Sequence, residues 1–167
     1  MIDNPRILYV RVSENCNAHC FMCHYADEHD SYNIIMEQYD ELLNYVKKKQ
    51  FKMIRFTGGE PLLHKNIIEF LIKAKKLGLQ TSIITNGYLL KIKSKKLVDS
   101  GLDQCIISLD GSCSEIHDSL RNFKGCFNNI ICGINELRKY NQLISIRINT
   151  VVSGRNIMDI SNIYRCV

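Results

Sequence analysis

Residues 53–87 read MIRFTGGEPLLHKNIIEFLIKAKKLGLQTSIITNG, and the spacing of apolar residues changes twice along them. Residues 53–56 form a short run rich in branched and aromatic side chains, which suits a strand. Ile67, Phe70, Leu71 and Ala74 then fall at i, i+3, i+4 and i+7, the spacing of one helix face, and Gly78 follows where such a helix would stop. Residues 82–84 return to a strand-like run. Strand, helix and strand in about 35 residues form a βαβ unit, whose two strands must lie parallel and whose crossover is right-handed.

The same alternation extends in both directions. Strands are expected over residues 7–12, 105–109 and 144–152, rich in Ile and Val as buried parallel strands are. Helices are expected around Tyr39, Leu42, Leu43 and Val46, over residues 91–100 ending at Gly101, around Phe127, Ile130, Ile131 and Ile134, and from about Ile157. Repeated βα units give an α/β fold, either an open doubly wound sheet or part of a (β/α) barrel. A complete TIM barrel needs on the order of 200 residues or more. The 167 residues therefore suit a partial (β/α) barrel of five βα units with parallel strands.

Composition narrows the class. Apolar residues make up 46% and charged residues 23%, an ordinary globular balance. No run approaches the ~18 apolar residues of a membrane span, and the first ten residues lack the layout of a signal peptide, so a cytoplasmic protein with no membrane partner is expected. The net charge of +5 is spread over runs such as Lys47 to Lys49 and Lys91, Lys93, Lys95 and Lys96, which read as solvated helix faces rather than a nucleic-acid surface. Eight cysteines are many for a reducing compartment, and three of them lie between positions 16 and 23.

In α/β folds ligands sit at the carboxyl ends of the strands, so the loops that follow the strands belong together. The first, residues 14–35, is long and lacks an apolar period, a mark of function. It contains CNAHCFMCH, with Cys16, Cys20 and Cys23 spaced C-x3-C-x2-C. Three thiolates could hold an iron-sulfur cluster with one iron left open. Taken alone, the loop also allows a zinc site completed by His19 or His24, or haem attachment through Cys20, Cys23 and His24. The second loop carries Gly58, Gly59 and Glu60, which taken alone is either an ordinary turn after a strand or a place where glycines admit a ligand to the backbone and the carboxylate takes an ammonium. The third is TNG, whose Asn86 orients a ligand or accepts a turn, and the fourth is SLDG. Outside these motifs, Cys105 and Cys132 are expected in the core and His64 and His117 at the surface, while Cys113 is either a small buried hydrophobe or a group facing the site.

As a set, the loops resemble the radical S-adenosylmethionine (radical SAM) superfamily, closest to the branch of the molybdenum cofactor biosynthesis protein A and the SPASM and twitch enzymes. The resemblance runs from Ile7 to about Asn156, and C-x3-C-x2-C with a following GGE is its specific part. It implies that Cys16, Cys20 and Cys23 bind a 4Fe-4S cluster whose open iron chelates S-adenosylmethionine. It further implies that Glu60, with the Gly58 and Gly59 backbone, holds the methionyl ammonium. Ser108 and Asp110 would reach the ribose or carboxylate, Arg121 in LRNFKG would pair with the methionyl carboxylate, and Met22 and Val151 in the fifth strand would border the adenine.

The activity so implied is reductive cleavage of S-adenosylmethionine to a 5′-deoxyadenosyl radical, which takes hydrogen from a peptide or a small cofactor precursor. An electron donor such as flavodoxin or ferredoxin would be its partner. Relatives of this layout continue through a sixth strand, so residues 1–167 are expected to be a radical SAM core domain cut short at its C-terminus. The alternative is a catalytically incomplete iron-sulfur or zinc-binding module.

Overall fold

The computed structural model describes residues 7–23 and 32–166. Five strands, β1 (Ile7–Ser13), β2 (Met53–Gly58), β3 (Gln80–Thr85), β4 (Gln104–Ser108) and β5 (Ser145–Asn149), form one sheet in the order β1-β2-β3-β4-β5, every neighbouring pair parallel. Strands that stay in chain order, each beside the next, form the arc of a barrel, whereas a doubly wound sheet reverses direction at a switch point. The expected partial (β/α) barrel is what the chain builds.

The crossovers are α1 (Met36–Lys48), α2 (Ile67–Lys76), α3 (Leu90–Asp99) and α5 (Cys126–Tyr140), with α4 (Ser114–Arg121) between β4 and α5 and a short α6 (Ile160–Ile163) near the end. Alternation along each strand sends Val10, Val12, Ile54, Phe56, Ile83, Cys105 and Ile107 to the helix side, where all are buried. From α1 and α2, Tyr39, Leu43, Val46, Ile67, Phe70, Leu71 and Ala74 meet them, and Tyr39 stacks on Phe70 at 4.1 Å between ring centroids. The other face of the sheet carries Tyr9, Arg55, Ser82 and Gln104 in register. Arg55 spans it, donating to Tyr9 Oη at 2.8 Å, Ser82 Oγ at 3.2 Å and Gln104 Oε1 at 3.1 Å.

Four expectations change. Residues 114–121 form α4, although only His117 and Leu120 are buried on it, so its apolar period was too sparse to read. The fifth strand ends at Asn149, which leaves Val151 in the loop beyond it. Cys105 is buried as expected but Cys132 is exposed, because it lies on the side of α5 opposite Ile130. His64 and His117 are buried rather than at the surface. His64 pairs both ring nitrogens, with the carbonyl of Ile34 and the N–H of Asn66, while His117 Nδ1 accepts from the N–H of Asp110 at 3.1 Å. Backbone partners thus satisfy the whole His64 ring, while on His117 Nε2 stays buried without a hydrogen-bond partner.

Candidate active site

The site is assembled around the cysteine loop, which touches the segment after every other strand. β1 breaks register between Arg11 and Ser13, and Ser13 Oγ accepts from the N–H of Asn15, turning the chain out of the sheet. After β2, Gly59 donates its N–H to Ser13 O and Glu60 donates to Asn15 O, both at 2.8 Å. After β3, Asn86 Nδ2 donates to Asn17 Oδ1 at 2.7 Å. After β4, Leu120 O accepts from the N–H of Phe21 at 3.3 Å, and Arg121 donates to Cys20 Sγ at 3.8 Å. After β5, the guanidinium of Arg155 lies 4.7 Å from the centre of the Phe21 ring.

The Gly-Gly pair has a use that its sequence did not show. A Cβ at Gly58 would overlap the carbonyl oxygen of Ser13, and one at Gly59 would overlap those of Glu14 and Asn15. Gly58 also holds φ at +139°, a region that disfavours side chains. The glycines thus let the cysteine loop lie directly on the end of β2, with backbone rather than ligand filling the space of the missing side chains.

Glu60 is fully buried beneath this junction. Its Oε1 accepts from the N–H of Leu62 and the hydroxyl of Thr85, both at 2.8 Å, and its Oε2 from the N–H of Asn86 at 2.7 Å. All three donors are neutral, and burial pushes the carboxyl up to about 7 despite them. Asp110 is also fully buried, but its Oδ2 sits 2.7 Å from Nη2 of Arg121, whose side chain is 11% exposed. Its Oδ1 accepts from the N–H of Val151 at 2.9 Å, and its carbonyl accepts from Asn156 Nδ2 at 2.9 Å. Asn156 also donates to Val151 O, so it knots the loop after β5 to the end of β4.

The three cysteines are half-buried. Burial holds the Cys16 thiol above its ordinary range, with the N–H of Ala18 opposing and the charges of Glu60, Cys20 and Cys23 adding to the rise. Burial likewise raises Cys20, against the pull of Arg121. Thiols so placed stay protonated until a cationic centre takes the protons' place, and an all-sulfur set from one loop suits the irons of a cluster. Among the described residues, no three His, Cys, Asp or Glu side chains gather around a single ion. His24, the fourth ligand of one zinc alternative, lies outside the described residues.

Of the other expected site residues, Ser108 is half-buried at the end of β4 in register with Asn149, and Met22 is half-buried within the loop. Val151 is 48% exposed and reaches Asp110 through its backbone. Cys113 stands half-buried at the N-terminus of α4. Asn17, Thr85, His117 and Asn156 belong to the hydrogen-bonded frame; Asn17 and Thr85 lie inside the cysteine and TNG motifs without having been singled out, and Asn156 carried no motif.

A profile described as the Radical SAM superfamily matches residues 10–167. The chain belongs to the radical SAM superfamily. Among similar sequences, a "Probable GTP 3′,8-cyclase" of Sulfolobus acidocaldarius is 31% identical over 151 residues, covering 89% of this chain and 48% of that protein. An "AdoMet-dependent heme synthase" of Methanosarcina barkeri is 28% identical over 167 residues, covering 98% and 47%. Radical SAM relatives of this kind are thus named enzymes, and the chain spans about half the length of the curated relatives it matches. Among solved structures, anSMEcpe with bound AdoMet superposes with a TM-score of 0.80 at 25% identity, over 97% of this chain and 48% of that one. SuiB of Streptococcus suis superposes at 0.79 and 22% identity, over 97% and 36%, which supports the radical SAM fold. No helix among the described residues is long and apolar enough to cross a membrane.

Proposed function

We propose that residues 1–167 act as a radical SAM core domain that holds a 4Fe-4S cluster on Cys16, Cys20 and Cys23 and binds S-adenosylmethionine along the ends of β2, β4 and β5. The observation that carries this reading is the contact of the cysteine loop with the segments following all four other strands. When bound, the cluster would supply the electron that splits S-adenosylmethionine into methionine and a radical able to abstract hydrogen.

The chain's own residues would bind and orient. Glu60 is a buried carboxylate with only neutral donors, so a methionyl ammonium laid against the Gly58, Gly59 and Glu60 segment would supply the missing countercharge. Arg121 would receive the methionyl carboxylate, its Nε being buried and without a partner. Asp110 orients that guanidinium, which leaves half-buried Ser108 to meet the ribose. Met22 and Val151 would border the adenine. The substrate would be a peptide or a small cofactor precursor, in keeping with structural neighbours such as SuiB bound to precursor peptide SuiA. A low-potential donor such as flavodoxin or ferredoxin would deliver the electron. Eight free cysteines fit a reducing cytoplasmic setting.

Anaerobic reconstitution with iron and sulfide, followed by dithionite and S-adenosylmethionine, tests this. About four irons per chain, a brown absorption lost in air and release of 5′-deoxyadenosine are expected. Replacing Cys16, Cys20 and Cys23 together with Ala abolishes the absorption, and Cys132→Ala leaves it. Zinc without iron after anaerobic purification overturns the reading. Iron without 5′-deoxyadenosine reduces it to a cluster-binding module.

A further inference from the structure

Arg121 is the last residue of α4, and both sides of it are fixed. Before it, the carbonyl of buried Leu120 accepts from Phe21 in the cysteine loop at 3.3 Å. After it, Asn122 takes the left-handed conformation with φ of 44°, and the N–H of Phe123 returns to Asp118 O at 3.0 Å. Asp118 then accepts from the N–H groups of Gly125 and Phe127 at the start of α5. Asn tolerates the left-handed turn, so the chain reverses there without a glycine.

The guanidinium is equally constrained. One nitrogen donates to Cys20 Sγ at 3.8 Å and the other meets Asp110 Oδ2 at 2.7 Å. Asp110 cannot follow a displaced arginine, because His117, Val151 and Asn156 hold its N–H, its Oδ1 and its carbonyl. A positive charge therefore rests permanently against one sulfur of the cysteine loop, with a fixed negative charge on its far side. Reducing a cluster adds one electron to a poorly solvated centre. A cation bonded to a ligand sulfur favours that electron, and a carboxylate behind the cation weakens the effect.

We propose that Arg121, clamped between Asp110 and Cys20, is a positioning residue that raises the reduction potential of the cluster on the cysteine loop, and that Asp110 sets how much of its charge the cluster senses. This rests on the cluster reading above. The electron comes from a one-electron, low-potential donor, and one cluster is reduced for each donor oxidised.

The test is a charge cycle read by redox titration with paramagnetic resonance detection on anaerobically reconstituted protein. Wild type, R121Q, D110N, the double variant and R121K are each loaded, assayed for iron and titrated without substrate. R121Q is expected to move the midpoint to more negative potential and D110N to more positive potential. The double variant and R121K should stay near wild type. Shifts of one sign in both single variants, or no shift in any, overturn the proposal, since general loosening of the loop would move both the same way. R121K against R121Q decides the charge effect should D110N fail to fold. Failure of the wild type to bind iron overturns the functional reading itself, whereas iron bound at an unchanged midpoint overturns only the role of Arg121.

Discussion

Glu60 at the end of β2 and Asp110 beyond β4 are both completely buried carboxylates on the same rim of the sheet, yet they are satisfied by opposite means. Asp110 has a cation at 2.7 Å, while Glu60 has three neutral donors and no ion pair among the described residues. Burying a charge is costly unless it is paired. One carboxylate therefore has its countercharge within the fold, and the other keeps a demand for positive charge beside the cysteine loop. The difference shows that one rim can hold an ion-paired carboxylate and a carboxylate with neutral donors side by side, and the proposed binding role belongs to the second.

The largest effect expected is at the completed pair. Asp110→Ala leaves a nearly buried guanidinium without its carboxylate, and urea denaturation should show a loss of about 3 to 5 kcal/mol. A double-mutant cycle with Arg121→Met should recover part of it. Additive losses would mean that the two charges do not couple, and the contrast with Glu60 would fall.

Next comes the pH dependence of stability. Glu60 is raised to about 7, so its contribution is fully present below its unfolded value of 4.5 and is lost as pH rises to about 7, a change of roughly 3 kcal/mol. His117 is lowered to about 4, mainly by burial and then by Arg121, so its contribution is present above 6.5 and is lost as pH falls toward 4. The two slopes oppose each other in wild type. In Glu60→Gln the opposition ends, and urea midpoints should rise with pH between about 4 and 6.5.

Glu60→Gln itself should cost about 1 to 3 kcal/mol, because donors approach both oxygens and the new amide must confront one of them. Calorimetric titration of cluster-loaded protein should show affinity for S-adenosylmethionine reduced roughly fivefold to a hundredfold, from the lost charge-assisted bond. Unchanged affinity with lowered stability would make Glu60 a frame residue like Asp110. The smallest effect belongs to a third kind of carboxylate. Asp40 meets Lys73 at 2.7 Å with both side chains partly exposed, and Lys73→Ala should change stability by no more than about 1 kcal/mol.

Much of this molecule was legible in its residues. The spacing of Ile67, Phe70, Leu71 and Ala74 announced a buried helix face, and all four are buried. Repetition of such units, with Ile-rich runs between them, required parallel strands, and the sheet has them. The motif loops carry the radical SAM resemblance in their residues alone. Helix α4 stayed hidden because its evidence is two buried residues and an Asp118 carboxylate that acts on the next helix, a signal with no period.

Local spacing reports what each segment buries against the sheet, so the alternation of elements, the core faces and the cysteine motif follow from the residues themselves, whereas the order of the strands is a tertiary fact. Polar partners joined across the chain leave no such trace. That Gly58 and Gly59 make room for Ser13 to Asn15, that His117 is buried under Asp110, and that Arg121 stands between Asp110 and Cys20 became visible only in three dimensions. Residues 101 positions apart meet at Arg121 and Cys20 because parallel crossovers return every strand end to one rim, and sequence distance carries no record of that return.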